Sequence, residues 1–151
     1  MNAAPNASSP VCAQPRYIKI GEDGALLSQD AAEWAAVLDT KMNLMWDVKA
    51  RPVANFREAQ TLPGTLKVAG FGDWRTPTVE ELFLLADRSR ARPPIDTDFF
   101  PDTPSDWFWS STLWASSPSD CAWAVNFLDG DSLWSSRGFV GFVRAVRPGQ
   151  S

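Results

Sequence analysis

Catalytic chemistry in proteins draws mostly on histidine, cysteine, serine, lysine and the carboxylates, and the first of these is missing: the 151-residue chain has no histidine. Without imidazole there is no Ser-His-Asp triad, no Cys-His dyad and no imidazole-ligated zinc. Cys121 is a candidate nucleophile, but nothing beside it in sequence marks a lowered pKa, and buried cysteine is an ordinary core residue. Asp129 and Asp131 are a carboxylate pair of the kind glycoside hydrolysis uses, yet they flank Gly130, and turn chemistry accounts for them. Ser110, Ser111 and Thr112 read as hydroxyls that satisfy backbone groups. Asp96, Asp98, Asp102 and Asp106 offer the oxygens calcium takes, without the spacing of an EF-hand loop, and turn or cap roles are favoured for them. Arg88, Arg90 and Arg92 read as a solvated helix end suited to the helix dipole, with an anion site as the lesser alternative. The expectation is a non-enzyme with no catalytic residue, no cofactor and no resident metal.

Charge and length narrow the partners. A formal net charge of -4 argues against nucleic acid and anionic membranes, which are bound by clustered Lys and Arg. No segment is long and apolar enough to span a bilayer. The opening MNAAPNASSPVCAQ has neither a basic n-region nor a continuous apolar h-region, so the expectation is cytoplasmic synthesis without a secretory signal, with a place on a surface or phage particle left open. Two cysteines, Cys12 and Cys121, are too few for a disulfide framework, and their pairing stays open. Residues 1–15 are rich in Ala, Ser, Asn and Pro and read as a mobile tail; residues 16–151 read as one domain.

The excess that carries information is aromatic: eight tryptophans, five of them between Trp107 and Arg147. That stretch divides into strands at Trp107 to Thr112, Cys121 to Phe127, Ser132 to Ser136 and Val140 to Arg147. The Asp129-Gly130 pair predicts a tight hairpin between the second and third. Alternation puts Trp123, Val125 and Phe127 on one face, expected to be the core, and Ala122, Ala124 and Asn126 on the other. Ala124, Asn126, Leu128, Asp131, Leu133 and Trp134 are then expected on or near a solvated face. Trp46, Trp74, Trp107 and Trp123 read as core, Trp109 stays open, and Trp114 and Trp134, set among Ser and Asp, read as exposed anchors for recognition.

The elements that must hold this stretch lie upstream. Arg16 to Ile20 alternates as a strand, GEDG turns it, and Ala25 to Leu27 returns. Glu33 to Asp39 and Leu44 to Val48 read as a hairpin around Thr40 to Asn43. Asn55 with Glu58 opens a short helix, Phe56 to Leu62, stopped by Pro63-Gly64. Thr78 with Glu81 is the clearest cap in the chain; it opens a helix running to about Asp87 or Arg88, with Val79, Leu82, Phe83, Leu85 and Ala86 on the buried face.

The order GDWRTPTVEELFLLADRSR, PPIDTDFFPDTPSDWFWSST, WAVNFLDGD and VRAVR, preceded by VLDTKMNLMWDVK, resembles the Lcl C-terminal domain family over roughly Arg16 to Arg147. The resemblance implies an α+β, C-type-lectin-like fold: two helices packed on a small twisted antiparallel sheet, with the chain ends close together. The family is similar to the formylglycine-generating enzymes and to the variable proteins of diversity-generating retroelements, whose last strands carry hypervariable ligand contacts. Carried to matching positions, the contact residues are Leu113, Trp114, Asp120, Ala124, Leu128, Asp131, Leu133, Trp134, Ser135, Arg137 and Phe139. The calcium and sugar signatures of true C-type lectins, the basic surface a heparin binder needs and the paired cysteines of formylglycine-generating enzymes are all missing from the sequence. The reading is a non-catalytic binding module for a protein or glycan on another cell or particle. A structural or trimerising end of a phage fibre or adhesin is the alternative, and a formylglycine-generating type of enzyme a third. Oligomeric state stays open, with a trimer one option.

Overall fold

The computed structural model describes residues 15–149. The expected tail therefore lies outside the described residues but for Pro15, and so does Cys12. Along the chain run β1 (Tyr17–Ile20), β2 (Ala36–Asp39), β3 (Leu44–Asp47), β4 (Arg51–Val53), α1 (Phe56–Thr61), a 3-10 turn (Leu62–Thr65), α2 (Val79–Leu85), β5 (Trp107–Leu113), β6 (Cys121–Asn126), β7 (Ser132–Ser136), β8 (Gly141–Val143) and β9 (Val146–Pro148). The fold is α+β, with two short helices and two sheets.

The expected single sheet is corrected to two. The first has order β1-β2-β3-β9 and the second β4-β8-β5-β6-β7. All neighbours are antiparallel except β5 and β8, which run parallel at Phe108 and Phe142. The first and last strands thus share one sheet. Local chemistry sets the β2–β3 hairpin: Asp39 Oδ1 accepts from the amides of Lys41 and Met42 at 3.1 and 3.2 Å, and Asn43 takes the left-handed φ of 54° that asparagine tolerates. The expected return strand at Ala25 to Leu27 is only a bridge, Leu26 to Ile20.

The expected last strand, Val140 to Arg147, breaks in two because residue 144 turns into the interior. Arg144 is fully buried; its Nη1 donates to the carbonyls of Asp47 and Val48 at 3.0 and 2.6 Å. Asp47 N donates to Ala145 O at 2.9 Å, so the crossing from β8 to β9 is tied to the end of β3. The motif VRAVR is the seam between the sheets.

Both helices begin where their caps predict. Asn55 accepts from Glu58 N at 2.9 Å, and Thr78 Oγ1 accepts from Glu81 N while the Glu81 carboxylate accepts from Thr78 N, a reciprocal capping box. Helix α2 ends at Leu85, short of the expected Asp87 or Arg88, since Asp87 N leaves to donate to Pro94 O at 2.6 Å. Leu82 and Leu85 are buried, whereas Phe83, expected on the same face, is 39% exposed.

The second sheet is covered on both faces. Phe108, Val125 and Phe127 pack with Trp46, Leu82, Leu85 and Val146. On the other side Trp109, Ala122 and Ala124 pack with Val53, Phe56, Ala59 and Val143. The expectation that Ala122 and Ala124 face solvent fails because α1 lies over them; both have no exposed surface.

Candidate functional site

Two backbone hydrogen bonds set the register of the β6–β7 hairpin. Asn126 N donates to Asp131 O, and Arg137 N donates to Asp120 O, each at 2.9 Å. Antiparallel pairs alternate between hydrogen-bonded and non-hydrogen-bonded, so Trp123 and Trp134, paired across the strands, form a non-bonded pair, the kind that brings side chains closest. The connection between the bonded ends is the four-residue Phe127 to Gly130, with Gly130 N donating to Asn126 O at 2.8 Å, so the tight hairpin expected at Asp129-Gly130 forms. Any hairpin loop with an even number of residues pairs odd positions with even ones. Trp134 therefore shares the face of Trp123 and Val125, and its expected grouping with Leu133 and Ala124 is corrected.

Trp114 reaches the same face from the other side of β6. A register shift between Trp109 and Leu113 swings the end of β5 against α2, where Thr112 Oγ1 accepts from Val79 N at 3.0 Å and Ser111 N donates to Pro77 O at 2.8 Å. Bulges of this kind re-aim side chains. After the bulge Trp114 N donates to Cys121 O at 3.1 Å, and the Trp114 ring stacks on Trp134 with centroids 4.0 Å apart and planes 8° apart. Trp134 is 49% exposed and Trp114 half-buried. Trp134 stands on a paired strand and Trp114 one residue past the end of β5, with polar turn residues around them.

Next to this stack runs an apolar groove of about 520 Å³, floored by Trp123 and walled by Val79, Phe83, Leu84, Thr112 and Ser132. Arg88 stacks its guanidinium 3.6 Å above the Phe83 ring and donates to the carbonyls of Phe83 and Gly130, so it caps the helix end and ties it to the hairpin turn. The start of α2 is held by Arg75 and Glu81 at 2.9 Å. Burial pushes the Glu81 carboxyl up, but the hydrogen bonds from Arg75 and Thr78 outweigh it and hold the group below its ordinary value. The sequence pattern assigns Trp123 and Phe83 to the core; the even hairpin loop is the signal that puts Trp123 and Trp134 on one face.

The other expected contact residues scatter. Leu113, Trp114, Asp120, Trp134 and Arg137 gather at the open end of the hairpin, where Asp120 accepts from Ser117 Oγ at 3.1 Å and Arg137 donates to the carbonyls of Pro118 and Ser119 while lying 4.6 Å over the Phe56 ring. Leu128 and Asp131 are exposed but sit at the closed end, Asp131 about 10 Å from Trp134 in mid-strand and about 20 Å from Arg137 at the usual rise of a strand. Phe139, 54% exposed, packs 6.1 Å from Trp107. Leu133 lies on the α1 side. Ala124 and Ser135, at 0% and 6% exposure, are corrected to interior positions, since both point toward α1 along with Ala122. Trp109, left open by the sequence, is fully buried, whereas Trp107 and Trp123 are only half-buried.

The acids serve turns. Asp96 Oδ1 accepts from Asp98 N at 3.0 Å and faces Arg90 at 3.7 Å, Asp106 accepts from Trp107 N, and Asp129 accepts from Asp131 N. Among the described residues no three His, Cys, Asp or Glu side chains group so as to hold a metal ion, and no helix is long and apolar enough to cross a membrane. A separate cleft of about 770 Å³ is lined by Glu22, Glu33, Trp34, Lys49, Arg51 and Asp102 among others. It contains none of the expected contact residues.

Residues 35–147 match the family described as Lcl C-terminal domain. A search of curated proteins finds no match to the chain.

Proposed function

The chain belongs to the Lcl C-terminal domain family, and from that premise we propose that it is a non-catalytic recognition domain of C-type-lectin-like fold, with the Trp114–Trp134 stack as the centre of its ligand surface. The observation that carries this is the pairing of half of Trp134's surface left open to solvent with a ring held parallel to Trp114. Large flat side chains fixed by strands lose little freedom on binding, and such anchors dominate binding energy where they occur. Leu113, Asp120 and the apolar groove over Trp123 extend the surface to either side. The absence of histidine fits a site built for contact rather than proton transfer.

The ligand is a glycan or protein carried on another cell or particle. Stacked indoles suit the C–H face of a sugar ring, with Ser116, Ser117, Asp120 and Ser136 near enough in the chain to meet hydroxyls. Binding of the wild-type protein to a glycan array and to whole cells, beside Trp134→Ala and Trp114→Ala, tests this. Each variant should lose about tenfold or more in affinity with its fold intact. Equal binding by both variants would overturn the reading, and the array and the cells separate the two ligand sources. If a diversity-generating retroelement supplies the variation, a near-copy of the last codons differing at adenines should lie beside a reverse-transcriptase gene.

A further inference from the structure

Sheet edges expose unpaired backbone groups, and natural proteins guard them with proline, charge or a covering segment. Among the described residues, three of the four sheet edges are guarded. The edge strand β4 carries Arg51 and Pro52; β9 carries Arg147 and Pro148 and is bridged by Arg75; β1 carries Lys19 and is bridged at Ile20 by Leu26. The fourth edge, β7, reads Ser132-Leu133-Trp134-Ser135-Ser136, with neither charge nor proline. Because Trp123–Trp134 is a non-bonded pair, the N–H and C=O of Ser132, Trp134 and Ser136 point away from β6. The groups of Ser132 and Trp134 take no other backbone partner among the described residues, and Ser136 O accepts only from Phe139 N.

We propose that β7 is a self-pairing edge, and that two copies of the chain join antiparallel across a two-fold axis at Trp134 to make one continuous sheet. The strand is complementary to itself in that register. Trp134 faces Trp134 of the second copy and exchanges both backbone hydrogen bonds with it; Ser132 faces Ser136, and Leu133 faces Ser135. One step beyond the strand on each side, Asp131 comes opposite Arg137, so no like charges meet across the axis. This is the self-register that uses all five strand residues. On the α2 side the Trp114–Trp134 stacks of the two copies then become neighbours, doubling the aromatic surface. The pairing does not depend on that surface binding a ligand.

Sedimentation velocity of the full chain over a dilution series tests the proposal, with Ser132→Lys/Ser136→Lys as the edge-blocked variant. Both serines are exposed, so the variant should keep the wild-type melting temperature. The wild type should pass from dimer to monomer on dilution, and the variant should dimerise at least about tenfold more weakly, as two like charges opposite each other at each end predict. A second variant does not rely on that one folding. Trp134→Cys, in a background of Cys12→Ser and Cys121→Ser, should cross-link to itself on mild oxidation, because residues facing each other across a bonded pair stand about 5.5 Å apart, within disulfide reach. A wild type that stays monomeric at every concentration, or forms a trimer, or a dimer that the lysines leave intact, or a Trp134→Cys chain that does not cross-link, would each overturn it. Ligand binding that persists in a monomeric wild type would leave the recognition function standing alone.

Discussion

Arg144, which has no exposed surface, donates from Nη2 to Thr103 Oγ1 at 2.9 Å and has no carboxylate within salt-bridge distance among the described residues. The guanidinium is held by the carbonyls of Asp47 and Val48 and lies 4.8 Å from the Phe100 ring. Burial, which strips water from the charged form, lowers its pKa to about 10. A buried donor with its partner removed keeps its desolvation cost, so Thr103→Val should destabilise the fold by about 1–3 kcal/mol. Arg144→Lys should cost more, because one ammonium cannot span both carbonyls and the hydroxyl. Urea unfolding checks both; a Thr103→Val protein as stable as the wild type would show that the hydroxyl bears none of the charge.

How far the chain reveals itself depends on how local the cause is. The caps at Asn55 and Thr78 and the turn after Asp39 act over two to four residues, and all are legible in the order of side chains. The break at Arg144 is not, because its hydrogen-bond partners lie 41, 96 and 97 positions away and the run around it has an unbroken strand period. Ala124 illustrates a different limit: alternation separates the faces of a strand but does not say whether a helix covers the second one. Trp134 is within reach, since the parity of the hairpin loop alone puts it on the face of Trp123. Its stacking on Trp114 is not, because it depends on the bulge in β5.

Glu81 ties the start of α2 to Arg75, and its carboxyl is held below its ordinary value. A carboxylate whose pKa is depressed on folding contributes stability above its unfolded pKa and loses it as pH falls through the folded one. Glu81→Gln should therefore be less stable than the wild type at neutral pH by about 1 kcal/mol, the usual worth of a cap with a partly exposed ion pair. The gap should close on acidification below the ordinary range of glutamate. Thermal melts of both proteins across that range measure it, and a gap that stays constant would mean that the charge of Glu81 contributes nothing.

Ala124 separates the packing role from the contact role that the family resemblance suggested. Its side chain has no exposed surface and sits with Phe56, Ala59 and Trp109. Ala124→Leu should therefore overpack the interface with α1 and destabilise by about 1–3 kcal/mol. The reverse change, Leu128→Ala, on the exposed turn, should stay within about 0.5 kcal/mol of the wild type. Denaturant midpoints for the pair decide between the two assignments, and an Ala124→Leu chain of unaltered stability would return residue 124 to the list of surface positions.

Gly130 joins the hairpin turn to the end of α2. Its φ of +86° is left-handed, and a Cβ placed there would lie 3.3 Å from Arg88 Cγ and 3.6 Å from Arg88 Nε. Gly130→Ala should cost about 1–2 kcal/mol from the backbone alone. It should also push Arg88 off the Gly130 carbonyl and away from the Phe83 ring, so the wall of the groove beside Trp123 loosens. Arg88→Ala removes the tie without straining the turn. If the link matters, the double variant should be less destabilised than the sum of the two single ones, and a double-mutant cycle by thermal melting would read the difference. Simple additivity would show that the turn and the helix end hold their places independently.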